Sequence, residues 1–156
     1  MEQTTLKLHE FYALEAELGG VFNRQTGEVA SKGLLAENIK LPTKYWLTDL
    51  LKKVATEKES IEKLKEELIK KHGNEDEQGN VSIPMYLFKK EVDKEGNEKE
   101  VPYDMNPDYV KFDKDFNDLL QEERTIEHFA FTLDQFENVE SDSNYGTFFK
   151  LIKAAE

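Results

Sequence analysis

The sequence predicts a mainly α fold with a minor β element. The expected frame is a long antiparallel helical hairpin carrying a β-hairpin or flap, braced by an N-terminal helix and a C-terminal strand and helix. Three observations predict it. Residues 43–72 run without a glycine or proline, and Leu47, Val54, Ile61 and Leu68 recur at every seventh position. Such a repeat asks for a second long helix as its partner rather than a sheet. Residues 107–128 carry another apolar pattern at three- and four-residue spacing. The stretch between them, 74–105, is dense in turn chemistry and partly alternating. The whole of 1–156 reads as a single domain, with 74–105 inserted between the two long helices.

Taken in order, 5–18 is a predicted helix. Thr4 or Thr5 caps it, Leu8, Phe11, Leu14 and Leu18 face the core, and Gly19-Gly20 ends it. Residues 21–33 form a connector with turns at Asn23–Gly27 and Ser31–Gly33, and 33–41 holds a short buried turn with Leu34, Leu35, Ile39 and Leu41. Pro42 marks the start of the long helix. Leu50 and Leu64 sit at the companion heptad position, and the opposite face is Lys/Glu. On this reading Leu64→Asp unfolds the protein.

Past Gly73, residues 74–80 are a polar turn and 81–103 a β-hairpin turning at Asp93–Asn97, with Pro84 and Pro102 confining its strands to edges. Asn106 caps the next helix, Pro107 takes its first position, and Tyr109, Phe112, Phe116, Leu119, Leu120 and Ile126 line it as far as His128. Residues 129–133 alternate as a short strand, and Asp134–Asn138 is a turn. Asp142 or Ser143 caps a last helix bearing Phe148, Phe149, Leu151 and Ile152.

Composition narrows the function classes. Of 156 residues, 33 are acidic and 21 basic, a formal charge of −12, and charged residues reach 35% against roughly 25% in ordinary domains. Seventeen aromatic residues are too many for a wholly disordered chain. No apolar run approaches a membrane span, and the opening Met1-Glu-Gln-Thr-Thr5 lacks a signal-peptide pattern. With no cysteine, disulfides, thiolate zinc sites and cysteine catalysis drop out, and a reducing cytoplasm suits the chain.

The catalytic and metal motifs fail one by one. His9-Glu10 opens like a zincin helix, but Ala13 stands where the second histidine belongs. Residues 74–85 have the outline of a calcium loop, yet Asn74 begins it and Met85 replaces the closing glutamate. Glu123, Glu127 and His128 miss the di-iron spacing, because Thr125 occupies the position three before the histidine. No phosphate-binding glycine loop and no nucleophile motif is present. The expectation is a protein that is not an enzyme and uses no cofactor and no metal.

The charge is unevenly spread. Residues 108–142 hold eleven acids against three bases, a net −8. On a continuous helix Asp115, Asp118 and Glu122 share one face, and Glu123 and Glu127 extend it. Such a surface repels nucleic acid and attracts basic proteins, and its sharpest form is mimicry of a phosphate backbone. Its ordinary form is a solubilising surface. Tyr45 and Trp46, with Phe148 and Phe149, read first as core at the open end of the hairpin; anchors for a partner are the alternative for Tyr45 and Trp46.

Leu41-Pro-Thr-Lys-Tyr-Trp-Leu47, the Lys/Glu helix ending Glu67-Leu-Ile-Lys-Lys-His-Gly73, Asp76-Glu-Gln-Gly-Asn80, Phe136-Glu-Asn-Val139 and Phe148-Phe-Lys-Leu-Ile152 resemble small phage-encoded acidic helical proteins of unassigned function. The resemblance spans 41–152 in pattern and order of elements. It implies a viral context and a place in the host cytoplasm or the virion, and it brings no catalytic residues. The functional expectation is therefore a non-enzymatic phage-type protein-binding module, an acidic inhibitor of a host defence or nucleic-acid-processing protein. Its partner is a protein with a basic surface, without direct nucleic-acid or membrane binding. The alternative is a virion or tail assembly component packing through the helical hairpin, which leaves a homo-oligomer open.

Overall fold

The punctuation seen in the sequence sets most of the element boundaries in the computed structural model, which describes residues 1–140 and 143–153. In chain order the elements are β1 (Glu2–Lys7), α1 (Leu8–Gly19), β2 (Val21–Phe22), β3 (Val29–Ser31), α2 (Leu41–His72), β4 (Asn74–Glu75), β5 (Val81–Ser82), β6 (Tyr86–Val92), β7 (Glu98–Met105), α3 (Pro107–Leu120), β8 (Glu123–His128), β9 (Phe131–Thr132), α4 (Gly146–Phe149) and β10 (Ile152–Lys153). Short 3-10 turns stand at Leu34–Ala36 and Leu133–Phe136. Helix takes 46% and strand 26% of the described residues, an α/β mixture built on the long α2. Among the described residues every sheet is two-stranded. The chain divides into two compact units, one of residues 1–61 with 121–156 and one of residues 62–120.

In the first unit, Thr4 and Thr5 belong to a strand rather than to a helix cap. β1 pairs antiparallel with β8, Thr4 opposite Ile126 and Lys7 opposite Glu123. Alternation sends Leu6, Ile126 and His128 inward and Gln3, Thr5, Glu123 and Glu127 outward. Glu10 then caps α1 by accepting the Lys7 N–H at 2.9 Å. Phe11, Leu14 and Leu18 of α1 are buried, as are Leu47, Leu50, Val54 and Ile61 of α2. Lys58 of α2 pairs with Glu15 at 2.9 Å and lies 5.3 Å from the Tyr12 ring centroid. The heptad seam of 43–61 therefore finds its helical partner in α1, not in a helix over 107–128. Phe131, Phe148 and Leu151 complete this core.

Burial pushes the Glu10 carboxyl up, but the Lys150 ammonium and the Lys7 N–H outweigh it and leave the group below its ordinary value of 4.5. A depressed carboxylate contributes stability above its unfolded pKa and loses that contribution as pH falls through the folded one. Glu10→Gln should therefore lower stability at neutral pH and flatten the acid limb, so that the two stability curves converge as pH falls below about 4.5. Denaturant titrations across that range check it; parallel acid limbs would refute the assignment.

The last helix is shorter than expected and capped differently. Its proposed cap Asp142 lies outside the described residues, and Ser143 does not serve. Asn144 accepts the Gly146 N–H at 2.8 Å, and Glu17 of α1 accepts the N–H groups of Thr147 and Phe148 at 2.9 and 3.2 Å. β10 then pairs parallel with β9.

In the second unit, Asn106 caps α3 by accepting the Asp108 N–H at 3.0 Å, and its own amide donates to the Pro84 carbonyl at 2.9 Å. The β6–β7 hairpin turns at Asp93, whose carboxylate accepts the N–H groups of Glu95 and Asn97. Asp76 holds the 74–82 turn in the same way, taking N–H groups of Gln78 and Asn80 at 2.9 Å. Residues 62–72 run back along α3: His72 meets Asp115 at 3.0 Å, and Lys65 lies 5.4 Å from the Phe116 ring centroid.

The expected helix over 107–128 stops at Leu120. Glu122 and Glu123 would load the carbonyl end of a continuing helix with like charge. The step from Leu120 to Ile126 breaks the three- and four-residue spacing, and Thr125-Ile126 suits a strand that β1 can receive. The antiparallel pairing of helices is thus confined to the short run within residues 62–120. Leu64 is 43% exposed there, so Leu64→Asp should lower the thermal midpoint by only a few degrees, in place of the unfolding that an unbroken spine required. A cooperative loss of far-UV circular dichroism at 25 °C in that variant would restore the longer spine.

Candidate functional site: an aromatic step beside an acidic ribbon

The five acidic residues expected on one helix face do not share a helix. Asp115 and Asp118 stand on α3 in the unit of residues 62–120, Asp115 already hydrogen-bonded to His72. Glu122 follows α3 in the other unit, where its carbonyl accepts the Leu8 N–H at 2.9 Å. Glu123 and Glu127 are outward residues of β8, opposite Lys7 and Gln3. In a strand, four residues span about 13 Å rather than one helical turn. A phosphate-like ladder of Asp115, Asp118 and Glu122 on one helix is therefore not formed.

What the structure does bring together lies at the start of α2. Proline at its second position and the following aromatic pair place Tyr45 and Trp46 on successive positions of a rigid helix. Trp46 stacks flat on Phe129, with centroids 5.1 Å apart and planes 5° off parallel. Tyr45 meets Trp46 edge-on at 5.1 Å. Phe129 directly follows β8, so the rings form a step at the end of the strand that displays Glu123 and Glu127. Lys53 fixes this junction by donating to the Glu127 carbonyl at 2.9 Å, and Arg124 bonds Glu57 of α2 at 3.2 Å.

The core assignment for Tyr45 is overturned: it is 67% exposed. Leu41, one turn before it, is more exposed still. Trp46 is half-buried, Phe148 is buried, and Phe149 is exposed. Sequence reasoning named Tyr45 and Trp46 but missed Phe129 as their partner. The signal was a pair of aromatics at alternate positions, Phe129 and Phe131, which a strand places on one face.

His128 is buried and fully engaged. Its Nδ1 lies 2.7 Å from the Phe129 carbonyl and its Nε2 lies 2.7 Å from Thr4 Oγ1. A carbonyl only accepts, so Nδ1 donates, and the imidazole serves as a structural bridge between β1 and β8. Among the described residues no group of three or more histidine, cysteine, aspartate or glutamate side chains is placed to hold a metal ion, and no helix is long and apolar enough to cross a membrane. Searches against family models, curated proteins and solved structures find no match to this chain.

Proposed function

We propose that this chain is a non-enzymatic protein-binding module, of the phage type that residues 41–152 resemble, acting as an acidic inhibitor of a host defence or nucleic-acid-processing protein in the host cytoplasm or virion. The observation that carries the reading is Tyr45, a large aromatic left in water on a rigid helix beside the Trp46–Phe129 stack, with Glu123 and Glu127 on the neighbouring ribbon. Interfaces concentrate their energy in aromatic anchors surrounded by a polar rim. A rim of carboxylates on a −12 chain steers a basic partner inward and turns away nucleic acid.

Affinity capture from host lysate at low and high salt, with mass spectrometry of what is retained, tests it. A basic protein should be held at low salt, released at high salt, and lost with either Tyr45→Ala or Glu123→Lys/Glu127→Lys. Equal recovery by wild type and both variants would remove this surface as the binding site.

One observation favours the assembly alternative. Among the described residues neither outer edge of the β6–β7 hairpin has a strand partner, and Phe88, Val92 and Tyr103 on it are exposed. Assembly through it predicts concentration-dependent sedimentation that Phe88→Lys abolishes. A single monomer boundary at every concentration would end that reading.

A further inference from the structure

Between Leu133 and Glu140 the chain repeats a pair at period three: Leu133-Asp134, Phe136-Glu137 and Val139-Glu140. Three residues per turn is the 3-10 period, which stacks positions i and i+3 in a column. The backbone follows it, with a 3-10 turn at Leu133–Phe136 and the Val139 N–H donating to the Phe136 carbonyl at 3.1 Å. The apolar members of the three pairs line a cavity of about 220 Å³, closed on other sides by Leu34, Phe148 and Ile152. The acidic members are exposed and form no ion pair among the described residues. The basic residues of the C-terminal segment, Lys150 and Lys153, are already paired with Glu10 and Glu2.

The walls are held in place. Tyr145 also lines the cavity, and its hydroxyl donates to buried Glu37 at 2.8 Å, while Lys32 holds the other oxygen of that carboxylate at 3.1 Å. Phe148 sits edge-on to both Phe136 and Phe131, at 5.2 and 5.4 Å. Leu133 and Phe149 line the cavity yet remain 61% and 56% exposed, which puts them at its mouth. An apolar cavity of roughly 150 Å³ takes up benzene, so this one has room for a single larger ring. Among the described residues its walls carry no charge, so the inserted group is neutral; Asp134, Glu137 and Glu140, each next in sequence to a lining residue, are exposed carboxylates, so the flanks of that group are basic.

We propose that this cavity docks one aromatic side chain of a basic partner segment, a tryptophan or phenylalanine flanked by lysine or arginine. The site is separate from the Tyr45 surface and stands without it.

The test is isothermal titration calorimetry of the full chain with three probes: N-acetyl-Lys-Lys-Trp-Lys-Lys-amide, the same peptide with alanine for tryptophan, and indole. The tryptophan peptide should bind at least about tenfold tighter than the alanine peptide. Both should weaken in about 0.5 M salt while the gap between them persists, because screening acts on the rim and not on the apolar wall. Leu133→Ser, at an exposed position, should remove most of the gap without a change in thermal midpoint. Val139→Trp, which fills the cavity, should do the same. Asp134→Asn/Glu137→Gln/Glu140→Gln should reduce the salt dependence and keep the gap, and Tyr45→Ala should bind as wild type does. Equal binding of the two peptides overturns the proposal, as does a gap that survives both cavity variants. Indole binding as tightly as the tryptophan peptide overturns it in favour of a free ring compound. Self-association abolished by Leu133→Ser overturns it in favour of a second copy of the chain.

Discussion

Phe131→Ala should destabilise the unit of residues 1–61 and 121–156 by about 3–5 kcal/mol, the cost of emptying a large buried aromatic site. The thermal midpoint should fall by roughly 15 °C or more for a unit of this size. Phe131 is fully buried and stands at the centre of a ring cluster. It meets Phe129 at 5.4 Å, Phe148 at 5.4 Å, Phe136 at 6.1 Å and the His128 imidazole at 6.1 Å. Removing it takes contact from four neighbours at once, and each is tied elsewhere. His128 is held by Thr4 and by the Phe129 carbonyl, Phe129 is pinned beneath Trp46, and the β9 backbone is paired to β10. The site therefore collapses poorly, which puts the loss toward the upper part of the range. Phe22→Ala is the control, because Phe22 is exposed on a short hairpin and should cost within about 0.5 kcal/mol. Urea denaturation of both variants decides the matter. A Phe131→Ala protein as stable as Phe22→Ala would mean that the ring cluster is not the core of this unit.

The elements legible in the sequence are those whose signals are local. Pro42 and Gly73 bracket α2, Asn106-Pro107 opens α3, Gly19-Gly20 closes α1, and Asp93 and Asp76 write their turns through their own carboxylates. Each needs at most five neighbouring residues to be read. The β1–β8 ribbon needs residues more than a hundred positions apart, and its strands are mostly Thr, Glu, Gln and Lys. Leu6 and Ile126 are its aliphatic inward residues, too few to show a period of two. Missing β8 carried α3 onward through 121–128, and that error assembled five carboxylates on a helix face the chain does not make. The heptad in α2 was real, but it names a kind of partner and not which one. Half of that seam is filled by α1, whose own apolar spacing was equally visible. Tyr45 shows the same limit from the other side: an aromatic at the start of a helix looks like core until the structure leaves most of it exposed.

Gly33→Ala should cost on the order of 3–4 kcal/mol, whereas Gly27→Ala should cost about 1 kcal/mol. Both glycines have positive φ, +73° at Gly27 and +79° at Gly33, so both substitutions bear the left-handed backbone penalty. They differ in what the new methyl meets. Around Gly27 there is nothing within 4 Å. At Gly33 the Cβ would lie 2.4 Å from the Gly20 nitrogen, 2.7 Å from the Gly19 carbonyl carbon and 2.8 Å from the Leu18 oxygen. These are backbone atoms of the C-terminus of α1, and Gly20 is itself in use there, donating its N–H to the Ala16 oxygen at 2.8 Å. Retreat in the other direction is closed as well, because a Cβ at Gly20 would strike the Ser31 oxygen at 2.7 Å. The two glycines form a contact in which two backbones pass without side chains, and this crossing sets where Leu34 enters the core. Relief requires unwinding the last turn of α1, which also carries Glu17, the cap of α4. Thermal and urea denaturation of the two alanine variants side by side measure the crossing alone, since the φ cost is common to both. A difference below about 1 kcal/mol would mean that the α1 terminus gives way freely and that the close approach is not a constraint on the fold.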